Sequence, residues 1–140
     1  MTVSTHRRTV LATGTAAAGL ATLTAGSLPP AAAAASRYFK HGVASGDPRP
    51  TTVVIWTRVT PTSASAPGSG KGPKVDVAWE VAKDEGFRKV VRRGRFSTSA
   101  SRDHTVKLDV SGLAPATWYF YRFTYRGTHS RVGRLRTAPA

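Results

Sequence analysis

Four histidines, at positions 6, 41, 104 and 129, are the side chains best suited to proton transfer or metal binding in this sequence. None stands at ligand spacing from another or from a carboxylate, and a metal site needs three or four convergent donors. Asp103 and His104 form the one adjacent acid–imidazole pair. Neighbouring residues of a regular strand point to opposite faces, so the two are not expected to share a ligand. Ser97, Ser99 and Ser101 precede His104 without a Gly-x-Ser-x-Gly elbow, and they read as a solvated polar link. Gly68-Ser69-Gly70-Lys71-Gly72 lacks the leading Gly and trailing hydroxyl of a phosphate loop and reads as a linker. Ser45-Gly46-Asp47-Pro48 reads as a turn, in which Gly permits positive φ, Asp caps its own backbone and Pro fixes the exit. The chain is therefore expected to hold no catalytic, cofactor-binding or metal residue.

The basic residues are the other candidates. Lys and Arg number 21 against 7 Asp and Glu, a net charge of +14. Arg88, Lys89, Arg92, Arg93 and Arg95 cluster in one stretch, and Arg122, Arg126, Arg131, Arg134 and Arg136 in another. On a shared face they would draw an anionic substrate toward a neighbouring active site, an effect that salt weakens. Scattered, they are a solubilising surface, which is the commoner outcome. Such a charge suits phosphate esters, wall polymers or acidic lipid heads. Nucleic acid is not expected, because no single-strand-binding signature is present and the chain carries an export address.

That address is Thr5-His6-Arg7-Arg8-Thr9-Val10-Leu11, where paired arginines precede a mild apolar run. Val10 to Leu28 is too poor in Leu, Ile and Phe for a transmembrane helix. Ala33 and Ala35 end the run as a small-residue cleavage site. Residues 1–35 are thus expected to be a twin-arginine signal peptide that engages the twin-arginine export machinery, cut near Ala35. Cleavage leaves residues 36–140 as one small domain with nineteen basic residues against seven acids, a net of +12. The sequence has no cysteine, so packing alone must hold the exported piece.

From Tyr38 onward apolar residues alternate, and no stretch has a period of 3.6. Seven strands are predicted, at 38–44, 52–59, 74–83, 89–96, 103–110, 117–126 and 129–137. In the second, Val54 and Trp56 are placed on the buried face. In the third, Val75, Val77, Trp79 and Val81 share a face, and Trp79 is expected to meet Trp56 between two sheets. The fourth is strongly basic and suits an edge. Pro61 to Pro73 is Ser/Ala/Thr/Gly/Pro apart from Lys71 and reads as a flexible loop. Seven short antiparallel strands with frequent turns predict an all-β, seven-stranded sandwich of the immunoglobulin or fibronectin type III kind.

Leu113-Ala114-Pro115-Ala116-Thr117-Trp118-Tyr119 resembles the corner before strand F of fibronectin type III domains. Tyr119 is then the residue whose hydroxyl bonds back to upstream backbone, with Tyr121 and Phe123 beneath it in the core. Trp118 and Phe120 fall on the opposite face. Either they meet another surface, as an interdomain face, or the 61–73 loop folds over them.

Longer stretches resemble the N-terminal domain of PhoD-type alkaline phosphatases and phosphodiesterases. They are Phe39-Lys40-His41-Gly42-Val43-Ala44-Ser45-Gly46-Asp47-Pro48, Val54 to Pro61, Trp79-Glu80-Val81-Ala82, Asp103 to Lys107, Leu113 to Phe123, and Val132-Gly133-Arg134 followed by Arg136-Thr137-Ala138-Pro139. The resemblance implies a secreted or wall-associated phosphoric ester hydrolase whose separate catalytic domain uses iron and calcium. In that family the metallophosphoesterase domain follows the Thr-Ala-Pro segment, and this chain ends at Ala140. No metal-binding position of the family has a counterpart here, so none carries over. The expected role is a non-catalytic accessory domain, in a truncated product, a piece of a longer protein or a stand-alone module. It would orient a metallophosphoesterase domain in cis through Trp118, Phe120 and the Thr137-Ala138-Pro139 exit. The alternative is a stand-alone secreted sandwich binding anionic wall or phosphate polymers. A third possibility, an enzyme acting by itself, is not expected for want of a reactive cluster.

Overall fold

The computed structural model describes residues 37–140. The signal motif Arg7 and Arg8 and the cleavage residues Ala33 and Ala35 lie outside them. Strands form at β1 (Val43–Gly46), β2 (Thr52–Arg58), β3 (Val75–Ala82) and β4 (Val90–Thr98). After a 3₁₀ turn at Ala100–Arg102 come β5 (Thr105–Ser111), β6 (Trp118–Tyr125), β7 (Thr128–His129) and β8 (Gly133–Arg136). No helix among the described residues is long and apolar enough to cross a membrane.

Two antiparallel sheets result, one in the order β1-β2-β5 and one in the order β4-β3-β6-β7, with β8 also on β6. This is the all-β sandwich of the immunoglobulin/fibronectin type III kind. The predicted seventh strand is split in two at Ser130, whose N–H still donates to the Phe123 carbonyl at 2.8 Å while its hydroxyl, in place of its carbonyl, accepts from the Phe123 N–H at 2.9 Å. The basic β4 is an edge strand, which its charges protect from pairing with other chains.

The core lies between the inner faces. Val53 and Ile55 of β2 and Val106 and Val110 of β5 meet Val77 and Val81 of β3 and Tyr119, Tyr121 and Phe123 of β6, all buried. Each such side chain contributes about 1.5–3 kcal/mol of burial, and in a domain without cysteine this packing is the main source of stability.

The alternation on β2 runs in the opposite phase from the predicted one. Val53, Ile55 and Thr57 point inward, while Val54 lies on the outer face between Gly46 and Asp109, and Trp56 between Ala44 and Lys107. Both parities of Thr-Val-Val-Ile-Trp-Thr are apolar enough to be buried, so periodicity alone does not choose between them. Trp79 does face inward, yet its neighbours are Gly94 and Phe123, not Trp56. A Cβ built on Gly94 would come within 2.8 Å of the indole, so Gly94 makes room for the ring.

The first strand also begins later than predicted. Gly42 takes φ 75°, a left-handed turn that Gly adopts at no steric cost, and pairing starts only at Val43. Upstream of it Phe39 plugs the core at 1% exposure, and Tyr38 packs edge-on against Tyr125 with ring centroids 5.0 Å apart. In the Ser45–Pro48 segment the left-handed residue is Asp47, at φ 46°, while Gly46 remains in β1. Asp tolerates this conformation better than most residues.

Candidate functional site

Tyr119 is 2% exposed, and its hydroxyl accepts a hydrogen bond from the N–H of Ala114 at 2.9 Å. The predicted corner is present. Thr137 joins it: its hydroxyl donates to the Ala114 carbonyl at 2.6 Å and accepts from the Thr117 N–H at 3.0 Å. The Ala116 N–H donates to the Ala138 carbonyl at 2.9 Å, and the Ala138 N–H to the Arg49 carbonyl at 3.1 Å. The exit segment is therefore tied at both Thr137 and Ala138 to the corner and to the entry of β2.

Beside that exit, on the outer face of the larger sheet, stands Trp118 at 49% exposure, with Phe120 half-buried next to it. The loop from 61 to 73 does not cover them. In register Trp118 lies opposite Arg136 and Phe120 opposite Arg134. The guanidinium of Arg134 sits 4.4 Å and that of Arg136 5.7 Å from the indole centroid. Such cation–π contacts are worth about 0.5–1 kcal/mol each at exposed sites.

The 61–73 loop is fastened elsewhere. Arg58, 4% exposed, donates through Nε and Nη2 to the two Asp103 carboxylate oxygens at 3.1 and 3.0 Å. It also donates to the Ser65 carbonyl at 2.8 Å and the Thr60 hydroxyl at 3.0 Å. The Gly68 N–H donates to Asp103 at 3.0 Å, so the carboxylate holds both the buried cation and the loop. The Arg58 guanidinium, followed by the Gly68 N–H, lowers the Asp103 pKa to about 2. A loop that composition marks as flexible is in fact pinned, with Ser65 fully buried.

Asp103 and His104 do not begin a strand as predicted. They occupy successive left-handed positions, at φ 50° and 53°, and β5 starts at Thr105. His104 is buried and its Nε2 lies 3.0 Å from the Pro73 carbonyl, so it serves the same loop. His41 Nε2 faces the Arg58 guanidinium at 3.5 Å, and His129 Nδ1 shares a hydrogen bond with the Thr124 hydroxyl at 2.8 Å. Ser99 and Ser101 bond to each other at 2.9 Å. Among the described residues no three His, Asp or Glu side chains converge.

The sheet brings part of the basic residues together. On the outer face Arg95 lies opposite Ala78, Arg93 opposite Glu80, and Glu80 in turn opposite Arg122. With Thr124 and His129 they line a shallow groove of about 540 Å³ over the small Ala78 side chain. Arg122 is neutralised by Glu80, with Nε and Nη2 at 3.0 and 2.9 Å from one carboxylate oxygen, and stacks on Phe87 at 4.0 Å. Arg93 and Arg95 form no ion pair among the described residues. Arg92 belongs to the other parity and donates to the carbonyls of Ser111 and Gly112, across to the smaller sheet. The Arg58–Asp103 clasp escapes a reading of the sequence, because its partners stand 45 residues apart with no local pattern to join them.

A family model described as the N-terminal domain of PhoD-like phosphatases matches residues 23–139. Alkaline phosphatase D of Bacillus subtilis (strain 168) is 46% identical over 102 residues, covering 73% of this chain and 17% of that protein. A solved structure of PhoD is 45% identical with a TM-score of 0.68, over 75% of this chain and 20% of that one. The chain thus spans about a fifth of the length of these relatives. The sensor domain of the anti-sigma factor RsgI4 of Pseudobacteroides cellulosolvens shares the fold alone, at 16% identity and a TM-score of 0.51 over 71% of this chain and 93% of that one.

Proposed function

This chain belongs to the family of PhoD-like phosphatase N-terminal domains, and on that premise we propose that it is a non-catalytic accessory domain of an exported PhoD-like alkaline phosphatase. Its work is to pack against and orient a metallophosphoesterase domain that follows in cis. The observation carrying this reading is the placement of half-exposed Trp118 beside an exit segment hydrogen-bonded at Thr137 and Ala138. A rigid exit next to an exposed aromatic surface holds a following domain at a set angle. Delivery by the twin-arginine route, through Arg7 and Arg8, to the outside of the cell or its wall belongs to the same proposal. Iron and calcium would reside in the catalytic domain, and this chain alone is expected to leave a chromogenic phosphate ester unhydrolysed.

The test is a fusion of this chain, through Ala140, to the remaining part of Bacillus subtilis alkaline phosphatase D. One cooperative thermal transition for the fusion, split in two by Trp118→Ala with Phe120→Ala, is the expected result. Independent unfolding of the two parts in the unsubstituted fusion would overturn the reading. The alternative, a stand-alone secreted module that binds anionic wall or phosphate polymer, draws on the arginines at the far end of the same face.

A further inference from the structure

We infer that the groove over Ala78 binds a flexible, linear, base-free chain of phosphate groups. The inference deepens the polymer-binding alternative and needs nothing from the interdomain role. Trp118 and Thr124 are six residues apart on β6, about 20 Å of strand. A domain packed on Trp118 and Phe120 reaches toward Arg122 but leaves the far end of the groove, at Thr124, Ala78 and Arg95, open.

The ligand class follows from how the cations are arranged. Arg93 and Arg95 are two residues apart on one strand face, about 7 Å, and Arg122 lies two strands from Arg93, about 10 Å. These charges are spread along an open surface and do not converge on a point. The N–H groups of β3, which floors the groove, are spent in the β3–β4 and β3–β6 ladders, so that floor offers no cradle for one isolated phosphate. A chain with an anion at every link can meet several of the cations at once.

The chemistry of the donors points the same way. The groove's permanent cations are all arginines, whose planar fork matches phosphate oxygens in pairs. Glu80 cancels Arg122, which leaves Arg93 and Arg95 as the uncompensated charges. Asp76, the next acid on this face, is engaged by the Ser97 hydroxyl and stands outside the groove lining. A single-stranded nucleic acid would need an open aromatic platform on which to stack its bases. Of the rings lining the groove, Trp79 packs against the core and His129 is held by the Thr124 hydroxyl at 2.8 Å, while the exposed indole of this face, Trp118, already carries Arg134 and Arg136.

The 140-residue chain is titrated with inorganic polyphosphate, with orthophosphate at equal phosphate concentration, and with a single-stranded oligonucleotide. Polyphosphate is expected to bind, with an affinity that falls steeply as salt rises, while orthophosphate does not saturate and the oligonucleotide binds at least tenfold more weakly. Arg93→Ser with Arg95→Ser should weaken polyphosphate binding about tenfold or more and flatten its salt dependence by roughly one to two counterions. Lys74→Ser with Lys107→Ser removes the same charge elsewhere and should leave binding within about twofold. Trp118→Ala should do likewise, which separates failure of this inference from failure of the interdomain reading. Circular dichroism of each variant confirms folding, and all four substituted basic residues are exposed. Equal loss in the two double variants, saturation by orthophosphate, or preference for the oligonucleotide would each overturn the assignment.

Discussion

The Tyr119 hydroxyl and the Ala114 N–H meet at 2.9 Å, a bond five residues long in sequence that closes the corner where the chain crosses from one sheet to the other. Thr137 bonds the carbonyl of the same Ala114, so corner and exit are one hydrogen-bonded unit. Tyr119→Phe strands the Ala114 N–H and should cost about 1–2 kcal/mol. Urea unfolding measures it. A double-mutant cycle with Thr137→Val should show coupling of about 0.5 kcal/mol or more, as expected for groups within one network.

Acid should loosen the loop clasp. The Asp103 pKa is lowered to about 2 from 3.8, first by Arg58 and then by the Gly68 N–H. A carboxylate with a depressed native pKa contributes stability that is fully present above its unfolded value and is lost as pH falls through its native one. The contribution should therefore be intact above about pH 4 and fade toward pH 2. Asp103→Asn keeps a residue that tolerates φ 50°, so it removes the charge without forcing a new backbone. Melting temperatures of the two proteins should differ at pH 6 and converge near pH 2. A gap that persists there would show that geometry, not charge, does the holding.

Gly133→Ala should be among the more damaging single substitutions. A Cβ there would lie 2.3 Å from the buried Tyr121 ring. Moving that ring disturbs the core, and overpacking of this kind costs about 1–3 kcal/mol. Gly46→Ala is the control, since nothing lies within 4 Å of its added Cβ. Thermal unfolding of the pair should separate them clearly.

Trp118→Ala should cost the isolated domain only about 1–2 kcal/mol, since the indole is 49% exposed and what it loses is chiefly its two arginine contacts. Chemical denaturation would reveal a larger loss if Trp118 were a core residue. Under the proposed interdomain role its effect is expected instead in the fusion.

Alternation of apolar residues and closely spaced turns were enough to read an all-β sandwich, because strand period is a local property. The corner at Tyr119 was legible for a similar reason, since Leu113 to Tyr119 carries it within seven residues. The phase of β2 was not, because Val53/Ile55 and Val54/Trp56 are equally apolar and only the opposing sheet selects one pair. Nor could composition foresee that Asp103 pins the 61–73 loop from a distant turn. The basic groove depends most on tertiary structure. Arg93 and Arg95 reach Arg122 only because β3 lies between β4 and β6 and the pairing register puts all three side chains on one face. Strands are written in the chain, but which strands become neighbours is decided by burying both inner faces at once.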